Sequence, residues 1–246
     1  MHISLAAEKI GTLWGWPLTN TVVTFWIAIA FILIAVLIMR LTLKLVPGGL
    51  QNIFELLIEG LLGITTMVFG TEKEARRYFP FLATFFIAIL VTNWMGLLPG
   101  YGSIGFREIE DGKEVFVPLL RSTSADLNTT LAYALISVGS VQYFGIRSMG
   151  TGTYFSKFFN FKGPINFIVG LLEFISEFTK VISFSFRLFG NVFAGEVLLM
   201  VIAFLVPVVA TVPFLGLELF VGAIQALVFF MLTAVFIKLA ITHEHA

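Results

Sequence analysis

The sequence has no cysteine, which excludes disulfides and metal sites built on thiolates. Charge is also scarce, because Asp, Glu, Lys and Arg make up 12% of the 246 residues, about half of the usual share of roughly 25%. The 15 basic and 15 acidic residues balance, so no basic excess indicates nucleic-acid binding. No basic stretch precedes the first apolar run, and we therefore expect no cleaved signal peptide.

Apolar residues take the place of the missing charge. They make up 58% of the chain, and the mean hydropathy is +0.98, values typical of an integral membrane protein. The apolar runs are long rather than short and alternating, which favours helices over a barrel. We predict an all-α integral membrane protein with about five membrane helices and one interfacial amphipathic helix.

Breaks in the apolar pattern divide this single membrane domain, 1–246, into segments. We predict an N-terminal tail and first transmembrane helix (1–49, with the span at 21–39), an interfacial helix and charged turn (50–77), a helical hairpin (78–146) and an ion-path hairpin (164–242). The loop at 99–124 holds a charged cluster and suits a small β-hairpin, and Ser124 is the expected N-cap of the helix after it. Basic residues favour an outer N-terminus and an inner C-terminus.

Segment 50–69 differs in kind from the other apolar runs. Asn52, Glu55 and Glu59 recur on one helical face, and apolar side chains cover the other. That pattern is typical of a helix lying in the membrane interface. The alternative is a spanning helix packed against partners.

The last two segments are too long to cross a membrane upright. From Pro164 to about Val206 the pattern stays helical for about 43 residues, roughly 64 Å, whereas the hydrocarbon core is about 30 Å thick. The segment 213–242 has the same problem to a lesser degree. We predict a strongly tilted helical hairpin; bends or close packing at Gly190 and Gly195 are the alternative.

Arg187 lies in the middle of the longer segment. Arginine stays protonated at any relevant pH, so this charge needs an acidic partner or a wet cavity. Glu196 lies nine residues on, about 180° around the helix, and Asn191 shares the arginine face but is neutral. We predict that the acidic partner lies on another chain; a buried ion pair within this chain is the alternative.

Polar residues of the last helix extend this pattern. Gln225 is placed to hydrogen-bond the Arg187 guanidinium, and Glu218 and Glu196 are expected to pair at a different cavity. Two close carboxylates in a low dielectric resist joint ionisation, which suits reversible proton binding. The alternative is a set of polar groups that seals a helix contact.

A second polar zone precedes Arg187 on the same segment. Glu173, Glu177 and Lys180 follow helical spacing, and an ordinary ion-paired helix end is the alternative interpretation. A fixed positive charge between two polar zones is nevertheless a layout for moving cations without a straight leak.

At these residues the sequence resembles subunit a of the membrane sector of the rotary F-type ATP synthase. The resemblance is most specific at Ser185–Glu196 and continues through Gly222–Ala226 and Thr233–Leu239. Weaker agreement covers residues 47–48, 93–99 and 124–128. It thus spans nearly the whole chain.

The resemblance implies two offset aqueous half-channels that meet a rotating ring of c subunits, each with one carboxylate in mid-membrane. Arg187 would be the essential charge facing that ring. The implied proton path comprises Glu196, Glu218, Gln225, Asn191, Asp126, Asn128, Glu173, Ser176, Glu177 and Lys180. Some relatives have a histidine at one of the two outer carboxylate positions. This chain has glutamate at both, Glu196 and Glu218, so a histidine relay is not available here.

The resemblance further implies partners and a location. The c-subunit ring, the subunit b peripheral stalk, other ATP synthase subunits and the lipid bilayer would surround the chain, in a bacterial plasma (inner) membrane. The transported ion would be H+, with Na+ as the alternative, and no cofactor, metal or bond chemistry is expected in this chain. Competing interpretations are a secondary transporter, which typically shows inverted repeats, and a structural subunit of a respiratory complex.

Overall fold

The chain is helical over most of its length. The computed structural model describes residues 7–13, 15–98, 104–110, 113–156, 158, 163–206 and 209–242. Its helices are α1 (Asn20–Thr42), α2 (Gly49–Phe69), α3 (Glu72–Gly96), α4 (Leu127–Met149), α5 (Thr151–Ser156), α6 (Pro164–Leu205) and α7 (Thr211–Ile241). Two antiparallel hairpins complete the fold, β1 (Lys9–Leu13) with β2 (Trp16–Thr19) and β3 (Gly105–Glu110) with β4 (Lys113–Pro118). The all-α prediction is confirmed.

Five helices of the described ranges are long and apolar enough to cross a membrane: α1, α2, α3, α6 and α7. The number agrees with the prediction, but its membership differs. α2 qualifies by length and composition although it was predicted to be interfacial, and α4 is not in the set although it was predicted to span.

The predicted charged turn at 72–77 is wrong, because α3 already begins at Glu72. The Thr71 side chain caps this helix by accepting a hydrogen bond from the backbone N–H of Glu74 at 3.4 Å. Glu72 and Glu74 lie in the first turn, where negative charge stabilises the positive end of the helix dipole. Pro80 lies inside the helix, and the carbonyl of Pro80 accepts a bond from the hydroxyl of Thr84 at 2.7 Å.

The loop at 99–124 contains the small hairpin that was expected there. β3 pairs with β4 in register from Gly105 opposite Pro118 to Glu110 opposite Lys113; residues 99–103 and 111–112 lie outside the described residues. The predicted N-cap at Ser124 is wrong. Ser124 lies in a short 3-10 turn, and Asp126 caps α4 by accepting from the Asn128 backbone N–H at 3.1 Å.

The prediction of one long helix after Pro164 is confirmed. α6 has 42 residues, a length of roughly 63 Å, and neither Gly190 nor Gly195 interrupts it. The close-packing alternative is confirmed at Gly195, where a Cβ atom would overlap the carboxylate of Glu218. The strong tilt stays a prediction, but a continuous helix about twice as long as a membrane core is thick leaves only tilt or protrusion.

The core lies where α3, α4, α6 and α7 meet, and it is rich in aromatic rings. Phe229 of α7 contacts Phe85 of α3 and Phe184 of α6, with ring centroids 5.3 and 4.9 Å apart. The Ser137 and Thr233 hydroxyls hydrogen-bond at 2.9 Å and link α4 to α7. Packing and such interhelical bonds, worth about 0.6 kcal/mol each, hold helices together in lipid.

The helix termini define two ends of this bundle. At one, the side-chain amide of Asn20 at the start of α1 donates to the Pro118 carbonyl at 3.3 Å. At the other, Lys238 near the end of α7 donates to the Phe69 carbonyl at the end of α2, at 3.0 Å. We term them the outer end and the inner end, following the orientation expected from the basic residues.

The contacts of α2 favour the interfacial position over a span. Gln51 exchanges two hydrogen bonds with the backbone of Lys44, at 3.1 and 3.0 Å, so the start of α2 stays beside the end of α1. α1 starts at the outer end, and its 23 residues suffice to cross a core of about 30 Å. A crossing α1 therefore delivers α2 to the inner end, where Phe69 also lies. A helix with both ends on one side does not cross.

Candidate functional site

Arg187 lies on the outward surface of α6, about midway along the helix. Its side chain is exposed, and its guanidinium donates to the Ser183 hydroxyl at 3.3 Å. Within the described residues, no acidic side chain lies within 4.0 Å of it. The structure thus leaves the charge facing away from its own bundle, as expected if its partner lies on another chain.

Gln225 does not reach the guanidinium, so that predicted contact is wrong. The Gln225 side chain is 4% exposed, and its Oε1 accepts a hydrogen bond from Nδ2 of Asn191 at 2.7 Å. Asn191 lies one helical turn beyond Arg187. The pair joins α6 to α7 and fixes a polar contact immediately beside the arginine.

A cavity of about 260 Å³ opens next to this pair, and we term it the outer cavity. It brings together four residues of the predicted proton path, Asn191, Glu196, Glu218 and Gln225. The remaining lining residues are Asn93, Gly96, Leu97, Ser122, Val192, Leu199, Met200, Val221 and Gly222. The prediction that the two glutamates face a different cavity from Gln225 is therefore wrong.

The two glutamates of the outer cavity have different surroundings. Oε2 of Glu196 lies 3.7 Å from Nε of Arg121, whose side chain is 8% exposed. The carboxylate of Glu218 lies over Gly195, where a Cβ atom would overlap it. Only glycine therefore allows the α7 glutamate to approach α6 so closely.

Asp126 and Asn128 do not line the outer cavity. Asp126 is buried and accepts hydrogen bonds from the Thr21 hydroxyl at 3.1 Å and from the backbone and side-chain amides of Asn128 at 3.1 and 3.2 Å. The structure gives these residues a helix-capping role that also ties α4 to α1. Their place in the proton path stays a prediction.

A second polar cluster occupies the inner half of α6, and we term it the inner network. Glu177 accepts from the Gln142 side-chain amide at 2.7 Å and from Lys180 at 2.7 Å. The Tyr154 hydroxyl donates to Gln142, and the Lys180 ammonium lies 4.8 Å from the ring centre of Phe236. The alternative of an ion-paired helix end is thus partly right, because Glu177 and Lys180 do pair. Ser176 is exposed and Glu173 half-buried on the same stretch.

An apolar layer separates the two polar regions on the side of α6 that faces the bundle. Phe184 and Leu188 are buried there, at 3% and 0% exposure. The rise from Glu177 to Glu196 along the helix is roughly 28 Å, close to the core thickness of about 30 Å. Arg187 lies between the two regions but on the opposite, exposed side. The arrangement offers ionisable groups at both ends of this stretch, and among the described residues the buried polar groups between them are hydroxyls, the pairs Thr130–Ser185 and Ser137–Thr233.

Comparison with known proteins places this arrangement in a family. The family model for the ATP synthase A chain matches residues 22–238. The chain belongs to the ATP synthase A chain family. It is 37% identical over 243 residues to ATP synthase subunit a of Gloeobacter violaceus (strain ATCC 29082 / PCC 7421), covering 96% of this chain and 92% of that protein. The matched family region contains every predicted site residue, in an integral membrane protein of ATP synthesis and proton transport.

For this member of the ATP synthase A chain family, sequence reasoning missed several residues of both regions. Arg121, Ser122 and Asn93 reach the outer cavity or its glutamate from segments distant in sequence, and Gln142 and Tyr154 complete the inner network. Two signals were available, since Asn93 and Gln142 are amides inside predicted spans. The others become visible only when the segments are packed together.

Proposed function

We propose that this chain is the stator subunit of the ATP synthase proton channel. Two offset half-channels pass protons to and from carboxylates of the c-subunit ring and so couple proton flow to ring rotation and ATP synthesis. The observation that carries the proposal is Arg187: a permanent cation on the exposed side of α6, between two polar regions, with no acidic partner in the described part of the chain.

The outer cavity is the proposed outer half-channel. It contains two carboxylates and three amides, and it ends at the Asn191–Gln225 contact beside Arg187. Carboxylates can take up a proton from the outer side and pass it on, and the amides beside them can hydrogen-bond along the same path. A proton that enters from outside thus reaches the surface of α6 close to the arginine.

The inner network is the proposed inner half-channel. Glu177 and Lys180 lie two to three turns before Arg187 on the same helix, so a proton released by the ring leaves on the other side of the arginine. The buried side chains of Phe184 and Leu188 lie between the two paths on α6 and support their separation within this chain. Protons then cross only by riding the ring.

Arg187 makes that ride directional. An ionised ring carboxylate is attracted to the guanidinium, and exposing it to lipid instead costs several kcal/mol. A protonated carboxyl is neutral and enters the lipid freely. Each proton supplies about 2.3 kcal/mol per 100 mV of membrane potential, which is the driving energy for one step of the ring.

The exposed face of α6 fits a rotating partner. Small residues flank Arg187 along this face at helical spacing: Thr179 and Ser183 before it, and Gly190 and Ala194 after it. Small residues let another helix approach closely. A slanted α6–α7 pair would lie against the curved wall of the ring, and the remaining ATP synthase subunits, including a subunit b stalk, would complete the complex in a bacterial plasma membrane.

Replacing the arginine tests this proposal. In intact ATP synthase in membrane vesicles, we expect Arg187→Ala to preserve assembly and abolish both ATP-driven proton uptake and proton-driven ATP synthesis. Arg147→Ala is the matched control, because Arg147 lies on an exposed part of α4 near its inner end, 3.4 Å from the Tyr143 hydroxyl. Normal coupling in an assembled Arg187→Ala complex contradicts the proposal.

A further inference from the structure

Tyr154 is held firmly in place at the inner end of the bundle. It belongs to the short helix α5 and is 2% exposed. Its ring lies so close to Gly145 of α4 that a Cβ atom there would crowd it, and it meets the rings of Phe155 and Phe158 edge-on at 6.3 and 5.8 Å. Such packing fixes the position of the ring and therefore the position of the hydroxyl oxygen.

The fixed hydroxyl lies within hydrogen-bonding distance of Gln142 on α4. The Tyr154 hydroxyl donates to Oε1 of Gln142, so the amide nitrogen of Gln142 is turned the other way, towards Glu177. An ionised carboxylate only accepts hydrogen bonds, and Nε2 of Gln142 donates to its Oε2 at 2.7 Å. The hydroxyl thereby selects the orientation in which the amide can serve the carboxylate.

Tyr154 remains a donor at physiological pH. Burial, and then the negative charges of Glu177 and Glu173, raise the pKa of Tyr154 to about 12. Among the described residues, the charged and titratable groups around Glu177 are Lys180 and Glu173 on α6 and Tyr154 on α5, while α4 presents the neutral Gln142 and α7 the ring of Phe236.

We propose that Tyr154 is a positioning residue for proton release and uptake at the inner end: acting through Gln142, it holds the Glu177 carboxylate in its hydrogen-bonded position. The proposal rests on the proposed function, because it assigns Glu177 to the inner half-channel. Glu177 has one oxygen on Lys180 and the other on Gln142. Loss of the hydroxyl frees the Gln142 amide to turn, and the carboxylate loses one of its two donors.

The test uses Tyr154→Phe in intact ATP synthase in inverted membrane vesicles, whose medium bathes the inner face. ATP-driven proton uptake is measured against medium pH and divided by the ATP hydrolysis rate at each pH. A donated hydrogen bond favours the charged form of a carboxylate, so its loss moves proton exchange at the inner end to higher pH. We expect the midpoint of the pH dependence to rise by about one unit, the effect of one hydrogen bond to a charged group.

Two further variants separate positioning from general packing. Tyr143→Phe removes an exposed hydroxyl from the neighbouring position of α4 and leaves the midpoint unchanged. Gln142→Met keeps the side-chain length but removes the amide, and it reproduces the upward shift. Because both changes act on one path, Tyr154→Phe combined with Gln142→Met gives no further shift.

The failures are distinguishable. If Tyr154→Phe leaves the midpoint unchanged while Arg187→Ala abolishes coupling, the role of Tyr154 is overturned. The proposed function is then unaffected. Normal coupling in Arg187→Ala overturns the proposed function and the inner half-channel with it. If Tyr154→Phe fails to assemble, Gln142→Met decides, and an unshifted midpoint there overturns the proposal.

Discussion

The two polar regions on α6 differ in how their carboxylates are partnered. In the outer cavity, Glu196 has a cation at 3.7 Å, and its Oε2 accepts no hydrogen bond from the described residues. In the inner network, both oxygens of Glu177 accept bonds of 2.7 Å. The outer carboxylates border about 260 Å³ of open volume, whereas Glu177 is enclosed by side chains of α4 and α6.

This difference arises from the neighbours of α6 and not from α6 itself. At the outer end, α7 places Glu218 over Gly195 of α6, and the segment before α4 contributes Ser122. A cavity remains between these elements. At the inner end α4 and α5 supply Gln142 and Tyr154, which complete the hydrogen bonds of the carboxylate. A loosely partnered acid can exchange protons with water, and a fully partnered one holds a defined charge. The comparison therefore predicts a larger effect from loss of the outer carboxylates than from loss of one hydrogen bond in the inner network.

The largest expected effect comes from neutralising both outer carboxylates. Glu196→Gln combined with Glu218→Gln keeps the shape of the cavity but leaves no group in it that binds and releases protons. We expect proton-driven ATP synthesis to fall on the order of a hundredfold, the usual contribution of a positioned proton-transfer group. Glu72→Gln, an exposed glutamate paired with Arg76, is the control. A double variant with the parental rate would remove the outer cavity from the path.

Filling the close approach at Gly195 comes next. Gly195→Ala places a methyl group where the Glu218 carboxylate lies, so the carboxylate must leave its position over α6. We expect ATP-driven proton uptake to fall about tenfold while the complex still assembles. Gly139→Ala on α4 is the matched control, since a Cβ atom there meets nothing within 4 Å. Equal rates for the two variants would show that the position of Glu218 is unimportant.

Removing the cation beside Glu196 has a smaller effect. Arg121→Gln takes away the positive charge that stabilises the negative charge of the Glu196 carboxylate. We expect the outer-side pH dependence of ATP synthesis to move upward by about one unit or less. Arg76→Gln, which breaks only the exposed pair with Glu72, leaves it unchanged. A downward movement would contradict the outer-cavity account.

The smallest effect lies outside both regions. Lys238 ties the end of α7 to the Phe69 carbonyl at 3.0 Å and to Glu74 at 3.3 Å. Lys238→Gln should lower stability by about 1 kcal/mol or less, because partly exposed pairs contribute little, and it should move neither pH dependence. Thermal unfolding of the purified complex measures the loss of stability. The two vesicle assays measure the inner-side and outer-side pH dependences. A pH shift here would mean that the region-specific effects reflect general destabilisation.

The helices were largely predictable from the sequence, because each corresponds to a long apolar run. α1, α6 and α7 begin and end within a few residues of the predicted bounds. The start of α3 was missed because a charged first turn, here Glu72 to Arg77, looks like solvated loop when its cap at Thr71 is overlooked. The exposed position of Arg187 was predictable from helical period and from the lack of an acid on its face.

The partners of the polar groups were not predictable in the same way. Gln225 was assigned to Arg187 but binds Asn191, because the rotation of α7 against α6 depends on packing that a single sequence does not specify. Arg121 and Tyr154 reach the two polar regions from a loop and a short helix. Such contacts join segments far apart in the chain, where neither periodicity nor spacing carries information.

The central claim is that the guanidinium of Arg187 pairs with a carboxylate of another chain. The most direct measurement is the distance from its guanidinium to the nearest carboxylate in an experimental map of the intact ATP synthase. We predict that this carboxylate belongs to a ring subunit and lies within about 4 Å or one bridging water. A guanidinium paired with an acid of its own chain, or turned away from every ring subunit, would contradict the account.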